Sequence, residues 1–220
     1  MFIRLLFLLN IKGEIILNIK TLEISGFEPA FKGMRNPMDS WDRADSFRDG
    51  DNNFILGKND LDLAKRLIKA GSEHSKFMRQ IHVWCDVNMP RYVLSEWDTY
   101  KYNTKNSCST MHKLLNNKNE ITIELFLIHE DDKYIMNSIV DRLESMRKEY
   151  METKDSKLIV RAKRLLPEGF LQLRTVSTNY AELRNMYFQR RYHKLKEEWQ
   201  DTFCRWVESL PYAKELIIGE

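Results

Sequence analysis

Apolar residues recur along this chain with two distinct periods, and the periods mark out its elements. From Ile81 to Met89 they alternate, with Ile81, Val83, Cys85, Val87 and Met89 on one side and His82, Asp86 and Asn88 on the other. That is the period-two pattern of a half-buried strand. Pro90 suits the first turn of a following helix, where its missing N–H costs nothing, and that helix is predicted to run to about Tyr102. Asp131 to Tyr150 reads as a helix with Ile135, Ile139, Leu143, Met146 and Tyr150 on one stripe. A further helix is expected over Lys157–Leu166, ended by Pro167. Leu171–Thr178 reads as a strand. Asn179 then caps a helix that turns Leu183, Met186 and Tyr187 inward. A last helix carries Trp199, Phe203, Trp206, Val207 and Leu210 and stops before Pro211. Earlier in the chain, Asn59 is expected to cap a helix with Leu63, Leu67 and Ala70 on one face and Gly71 as its stop. Glu120–Ile128 fits strand or helix. Gly33–Lys58 is polar and turn-rich, and reads as a long loop holding at most one short helix. The mixture is α/β or α+β, with strands scattered among helices.

Composition narrows the class. At 220 residues the chain is long enough for one sizeable core and short for two. A net charge of +3 is too weak for a nucleic-acid binder, which carries a concentrated basic face. Cys85, Cys108 and Cys204 are widely spaced and show no metal-ligand spacing, so neither a disulfide framework nor a zinc site is expected. The natural compartment is a reducing cytoplasm. The apolar run Met1–Leu9 is too short to span a bilayer and no small-residue cleavage site follows it. Residues 1–24 therefore read as a leader or short strand ahead of a single domain over 25–220, with no membrane partner.

The densest chemistry lies between Pro90 and His112. A helix end stands beside Asn106-Ser107-Cys108-Ser109-Thr110, a loop rich in hydroxyls and backbone N–H groups that can hold a phosphate or a pyrimidine carbonyl. Composition alone also fits a solvated capping loop. The spacing resembles that of the flavin-dependent thymidylate synthase (ThyX) family. Members of that family carry a Pro, then Gln-Trp, then an Arg-His-Arg signature, and seven residues later a Ser. Here Pro90 and Trp97 stand in the matching places, Thr99-Tyr100-Lys101 occupies the signature, and Ser109 keeps the distance. A second block matches too: Leu166-Pro167, then a strand, then Asn179 opening a helix with Arg190 eleven residues on. The resemblance covers roughly residues 28 to 210.

The resemblance implies a central, mostly antiparallel sheet flanked by helices. It implies an FAD-dependent methylation of dUMP to dTMP, with methylenetetrahydrofolate and NADPH as co-substrates, in a homotetramer whose sites lie between subunits. Arg190 would favour negative charge on the pyrimidine, a task suited to a planar cation that stays charged. Arg191 beside it leaves the choice between the two open. Ser109 would bind the substrate, a role preferred to covalent attack because no base is assigned next to it. Ser107 and Thr110 flank it. Lys163 falls at a nucleotide-binding Arg of the family, and Arg164 can share that work. Glu96 replaces the family Gln and turns an amide into an acceptor only. Met111 replaces an expected Arg. For the flavin and folate the resemblance implies Asn179 and Asn185, Ser46, Arg79 and Gln80, and Thr99, Tyr100 and Lys101 in the altered signature. His193 and Trp199 follow Arg190 as a His and a Trp do in the family, with Trp199 also suited to a core.

Two other readings stand beside that one. The altered signature, with Glu96 and Met111, fits a nucleotide-binding protein of the same fold that has lost thymidylate synthesis. Glu96 also fits a related enzyme acting on another pyrimidine nucleotide.

Overall fold

The computed structural model describes residues 17–219. The first sixteen residues, and with them most of the expected leader, lie outside the described residues. The fold mixes helices with antiparallel sheet, as the sequence leads one to expect. In chain order the elements are β1 (Asn18–Ser25), α1 (Phe27–Arg35), β2 (Phe47–Arg48), β3 (Phe54–Ile55), α2 (Lys58–Lys69) and β4 (His82–Pro90). Then come α3 (Arg91–Trp97), β5 (Thr104–Ser107), α4 (Thr110–Lys113), α5 (Lys133–Thr153), α6 (Ser156–Leu165), β6 (Leu171–Asn179), α7 (Tyr180–Arg190) and α8 (Arg205–Glu208). One sheet has the order β1-β4-β6-β5, and β2 and β3 form a small antiparallel hairpin. No described helix is long and apolar enough to cross a membrane.

The chain divides into two compact units. The first holds Val87–Thr99 and Asn106–Thr175, and the second holds Ile19–Asp86, Tyr100–Lys105 and the chain from Val176 onward. The first unit closes around Leu143, Leu158, Ala162 and Phe126, all almost fully buried. Phe126 packs edge-on against Phe170, and the backbones of those two residues form an antiparallel bridge. Asp155 starts α6 by accepting the N–H of Lys157 at 2.9 Å. Asp155→Ala removes that acceptor, and we expect it to lower unfolding free energy by about 1 kcal/mol in urea titration.

In the second unit an aromatic cluster joins buried aliphatic residues such as Ile81, Val83, Leu183 and Leu216. Phe27 stacks on Phe54 and meets Tyr180 and Tyr212 edge-on, while Phe31 adds contacts to Phe54 and Phe77. Tyr180 is fully buried, and its hydroxyl donates to the Pro211 carbonyl at 2.7 Å. Burial pushes that phenol's pKa far up, so it stays protonated.

Several elements differ from expectation. The stretch Gly33–Lys58 takes up the last turn of α1 and then holds two single-turn 3-10 helices and the β2–β3 hairpin. α2 is capped by other residues than expected: Gly57 is its N-cap, and Asp45 reaches across to accept the N–H groups of Asn59 and Asp60 at 2.8 and 3.0 Å. A side chain at Gly57 would collide with that carboxylate, which is why glycine stands there. Glu120–Ile128 becomes a short turn and a single bridge, neither strand nor α-helix. α3 stops at Trp97, five residues early. The last helix is wide-turned: residues Lys196–Cys204 form a π-helix before α8.

Candidate functional site

The first unit brings Ser109, Thr110 and Lys163 together. Ser109 is the N-cap of α4, and its hydroxyl oxygen accepts the His112 N–H at 3.2 Å. The residue before it is pinned to β6: the Cys108 N–H donates to Leu173 O at 2.9 Å, and Gln172 Nε2 donates to Cys108 O at 2.6 Å. Thr110 is buried and its hydroxyl bonds the Lys163 ammonium. Burial lowers the pKa of Lys163, the positive charge of Arg91 lowers it further, and Glu168 opposes both. Arg91 is itself paired with Glu168 at 3.1 Å. Two cations close enough to disfavour each other's charge form a place where an anion is welcome. Arg91 carried no signal in the sequence beyond its position on a helix.

The other residues expected in this unit are more loosely placed. Ser107 ends β5 and is exposed, as is Arg164 on α6. Glu96 is half-buried on α3, and Thr99 is exposed with its hydroxyl donating to the Glu96 carbonyl at 2.7 Å. Met111 is 45% exposed.

The second unit gathers Arg190, Tyr100, Asn185 and Trp199. Arg190 ends α7, where the Asn179 side chain has capped the helix start by accepting the Glu182 N–H at 3.0 Å. The guanidinium lies 4.3 Å from the centre of the Trp199 ring and 5.4 Å from that of Tyr100. Its Nε–H donates to the Tyr100 hydroxyl at 2.8 Å. Trp199 is fully buried, so it is core and platform at once. The His193 N–H donates to the Arg190 carbonyl, and its ring meets Trp199 edge-on. Arg191 lies instead over Phe188 and Tyr192, so the two neighbouring arginines are told apart by their rings.

Also within this unit is a cleft of about 260 Å³ lined by His82, Lys101, Tyr102, Asn103, Thr104, Ser177, Thr178 and Asn179. Lys101 and Asn179 were expected at a cofactor. Asn103 and Thr178 were not, yet Asn103 Oδ1 and Thr178 Oγ1 are buried side-chain atoms without a hydrogen-bond partner. Unpaired buried polar atoms at a cleft wall call for a polar ligand or ordered water. A cleft of this size lies just below the usual range of ligand sites and has room for a small polar group. An ammonium, amides and a hydroxyl suit such a group.

Three expected residues stand apart from these groupings. The Ser46 hydroxyl accepts the Gly57 N–H at 3.0 Å and its own N–H donates to Asp60 at 2.9 Å, so its polar atoms brace the loop. Arg79 and Gln80 end a 3-10 turn ahead of β4, both exposed, with the Gln80 carbonyl close against Gly26. Gly26 has φ +93°, and a Cβ there would strike that carbonyl.

The fold defined by these elements is that of the flavin-dependent thymidylate synthases. Two solved structures of thymidylate synthase X from Helicobacter pylori, each containing FAD and dUMP, share it. One aligns with TM-score 0.69 at 19% identity over 92% of this chain and 97% of its own. The other aligns with TM-score 0.69 at 18% identity over 91% of this chain and 98% of its own. Compared by sequence, the chain matches no family model and no curated protein.

Proposed function

We propose that this protein is a flavin-dependent enzyme that methylates dUMP, or a closely related pyrimidine nucleotide, using methylenetetrahydrofolate and NADPH. The observation that carries the reading is the fold shared, over nearly the whole of both chains, with an enzyme solved with FAD and dUMP. The surroundings of Arg190 in one unit, and separately those of Lys163 in the other, support it. The assembly in this reading is a cytoplasmic homotetramer of one ThyX-like domain per chain over 25–220, with sites between subunits.

Bound flavin would supply a hydride to the transferred carbon. The chain's own part is to bind and orient. Lys163, Arg91 and Thr110 hold the nucleotide phosphate, with Ser109 beside them and Ser107 and Arg164 at the edge. Glu96 faces the base as an acceptor only, which favours a pyrimidine edge that donates. Arg190 stabilises negative charge on the ring. Lys101, Asn103, Thr178 and Asn179 hold part of the FAD, with Asn185 nearby on α7. Thr99, Ser46, Arg79 and Gln80 complete the cofactor and folate side in this reading.

Two measurements test the reading together: the visible spectrum of the purified protein with and without added FAD, and tritium release from C5-labelled dUMP. Yellow protein and nucleotide-dependent release are expected. A colourless protein that takes up no FAD and releases no tritium would overturn the proposal. For the phosphate site, Lys163→Gln is expected to raise the Kd for dUMP about tenfold by calorimetry, the loss of roughly one charge-assisted hydrogen bond. Repeating that titration with dCMP shows which base edge Glu96 prefers.

A second reading, a nucleotide-binding protein of this fold without thymidylate synthase activity, draws on one observation. Thr99-Tyr100-Lys101 stands at the Arg-His-Arg position, and its Tyr100 engages Arg190 from within the chain. Nucleotide binding without tritium release would favour it.

A further inference from the structure

Tyr100 stands where the family signature has its histidine, and its hydroxyl sits in the middle of a chain of hydrogen bonds. Arg190 Nε–H donates to the Tyr100 oxygen at 2.8 Å. The Tyr100 O–H donates to Gln189 Oε1 at 3.1 Å. Gln189 Nε2 donates to Asn185 Oδ1 at 2.8 Å. Every group is in the second unit, and Tyr100 is only 6% exposed.

The direction of this chain follows from chemistry. A guanidinium nitrogen can only donate, so the phenol oxygen facing it must accept. The phenol has one hydrogen, and with Arg190 on its oxygen that hydrogen is available to Gln189. Gln189 turns its carbonyl toward Tyr100 to take that hydrogen, which sends its NH₂ toward Asn185. Those two amides are four residues apart on one helix, the spacing at which side chains meet. Asn185 accepts with its carbonyl and is left with its NH₂ directed outward.

We infer that Tyr100 is a positioning residue that ties Arg190 to the amide of Asn185 and fixes that amide as a hydrogen-bond donor. This rests on the proposed function in assigning Arg190 to the nucleotide and Asn185 to the flavin. Under that assignment the relay couples the two ligands. Arg190 is held by the Trp199 ring and the Tyr100 hydroxyl, and Asn185 offers its NH₂ to an acceptor on the cofactor, such as a ring carbonyl or an unprotonated ring nitrogen. The signature residue is lost while a link between the two subsites is built from a different side chain.

Tyr100→Phe keeps the ring under Arg190 and removes the hydroxyl. It is expected to weaken binding of both dUMP and FAD about tenfold and to shift the visible band of bound flavin. Gln189→Leu cuts only the second half of the relay, so its effect on FAD should exceed its effect on dUMP. Combined with Asn185→Ala, Tyr100→Phe should cost less in FAD affinity than the two single changes added, because both interrupt one path. A merely structural tyrosine would lower thermal stability without this split. Strict additivity, or dUMP and FAD affinities within twofold of the parent, would overturn the inference. If the parent protein binds neither ligand, the proposed function fails and the relay is decided separately. Side-chain NMR of the ligand-free protein should then show the Arg190 Nε–H exchanging about tenfold faster with water in Tyr100→Phe. Unchanged exchange rejects the relay. Should Tyr100→Phe fail to fold, Gln189→Leu carries the test: it should free the Asn185 amide to exchange faster, and an unaltered Asn185 signal counts against the inference.

Discussion

Arg35→Met is expected to lower the unfolding free energy of the second unit by about 3–5 kcal/mol, measured by urea titration, because it leaves a buried carboxylate without its cation. Arg35 and Asp60 are 3% and 2% exposed and meet at 2.6 Å. Two of the four remaining guanidinium hydrogens are also used: Nη1 donates to the Ser40 carbonyl at 3.1 Å and Nη2 to the Arg43 carbonyl at 3.0 Å. The second Asp60 oxygen accepts the Ser46 and Asp45 N–H groups at 2.9 and 3.2 Å. One ion pair thus ties α1, α2 and the loop between them. Removing both charges together, as Arg35→Met with Asp60→Leu, should recover part of the loss, since no orphaned charge remains.

The same pair gives stability a pH dependence with a definite sign. Burial alone would raise the Asp60 pKa, but hydrogen bonds from Ser46, Arg35 and the Ser46 and Asp45 N–H groups outweigh it, and the net shift is downward. A carboxyl held lower in the folded state contributes its full share above its unfolded pKa of about 4. That share disappears as pH falls through the lower, folded value. Acid unfolding should therefore steepen below about pH 4, and Asp60→Asn should flatten that part of the curve.

What the sequence discloses depends on whether a residue's fate is decided locally. β4, β6 and the Asn179 cap are legible because alternation and capping are settled within a few residues. α5 is legible as a helix, and Leu143 and Met146 of its expected stripe are buried, with Ile139 and Tyr150 packed against the same core. Only the start of the stripe differs: Met136 and Val140 are buried and Ile135 is 61% exposed. Both sets of positions are apolar there, and the partner elements choose between them. Arg147 is buried on the same helix because Glu144 and the Asn117 carbonyl occupy its guanidinium, a pairing no periodicity reports. α1 carries Phe27, Ala30, Phe31 and Met34 at helical spacing, yet it stands outside the expected elements.

The site shows the same division. Spacing singles out Arg190, but what fixes it is Tyr100, ninety positions away in sequence. α3 ends at Trp97 and the chain turns so that Tyr100 reaches inward, against the helical pattern that would carry on to Tyr102. Arg91 gains meaning only beside Lys163, and Asn103 and Thr178 only as unpaired atoms at a cleft wall. Such features are products of tertiary placement, and a single sequence holds no local trace of them.

Under the proposed function, Arg190→Lys should separate charge from geometry at the nucleotide ring. The substitution keeps one positive charge at the end of α7 and removes the planar fork. Lysine has no Nε–H in a rigid plane, so it cannot both donate to Tyr100 at 2.8 Å and keep a planar cation 4.3 Å from the centre of the Trp199 ring as Arg190 does. A compact, strongly hydrated ammonium also has less reason to stay over an aromatic face. If Arg190 stabilises charge developing on the nucleotide ring, the donor must stand where that charge appears, and losing such a preorganised donor costs about 100-fold to 1,000-fold in kcat. Tritium release from C5-labelled dUMP should fall by at least about 100-fold, with thermal stability close to the parent because Trp199 remains packed by Phe203. A loss of less than about tenfold would mean that positive charge alone suffices there. The clamp of Tyr100 and Trp199 would then be a feature of packing, and the planar fork would have no part in the chemistry.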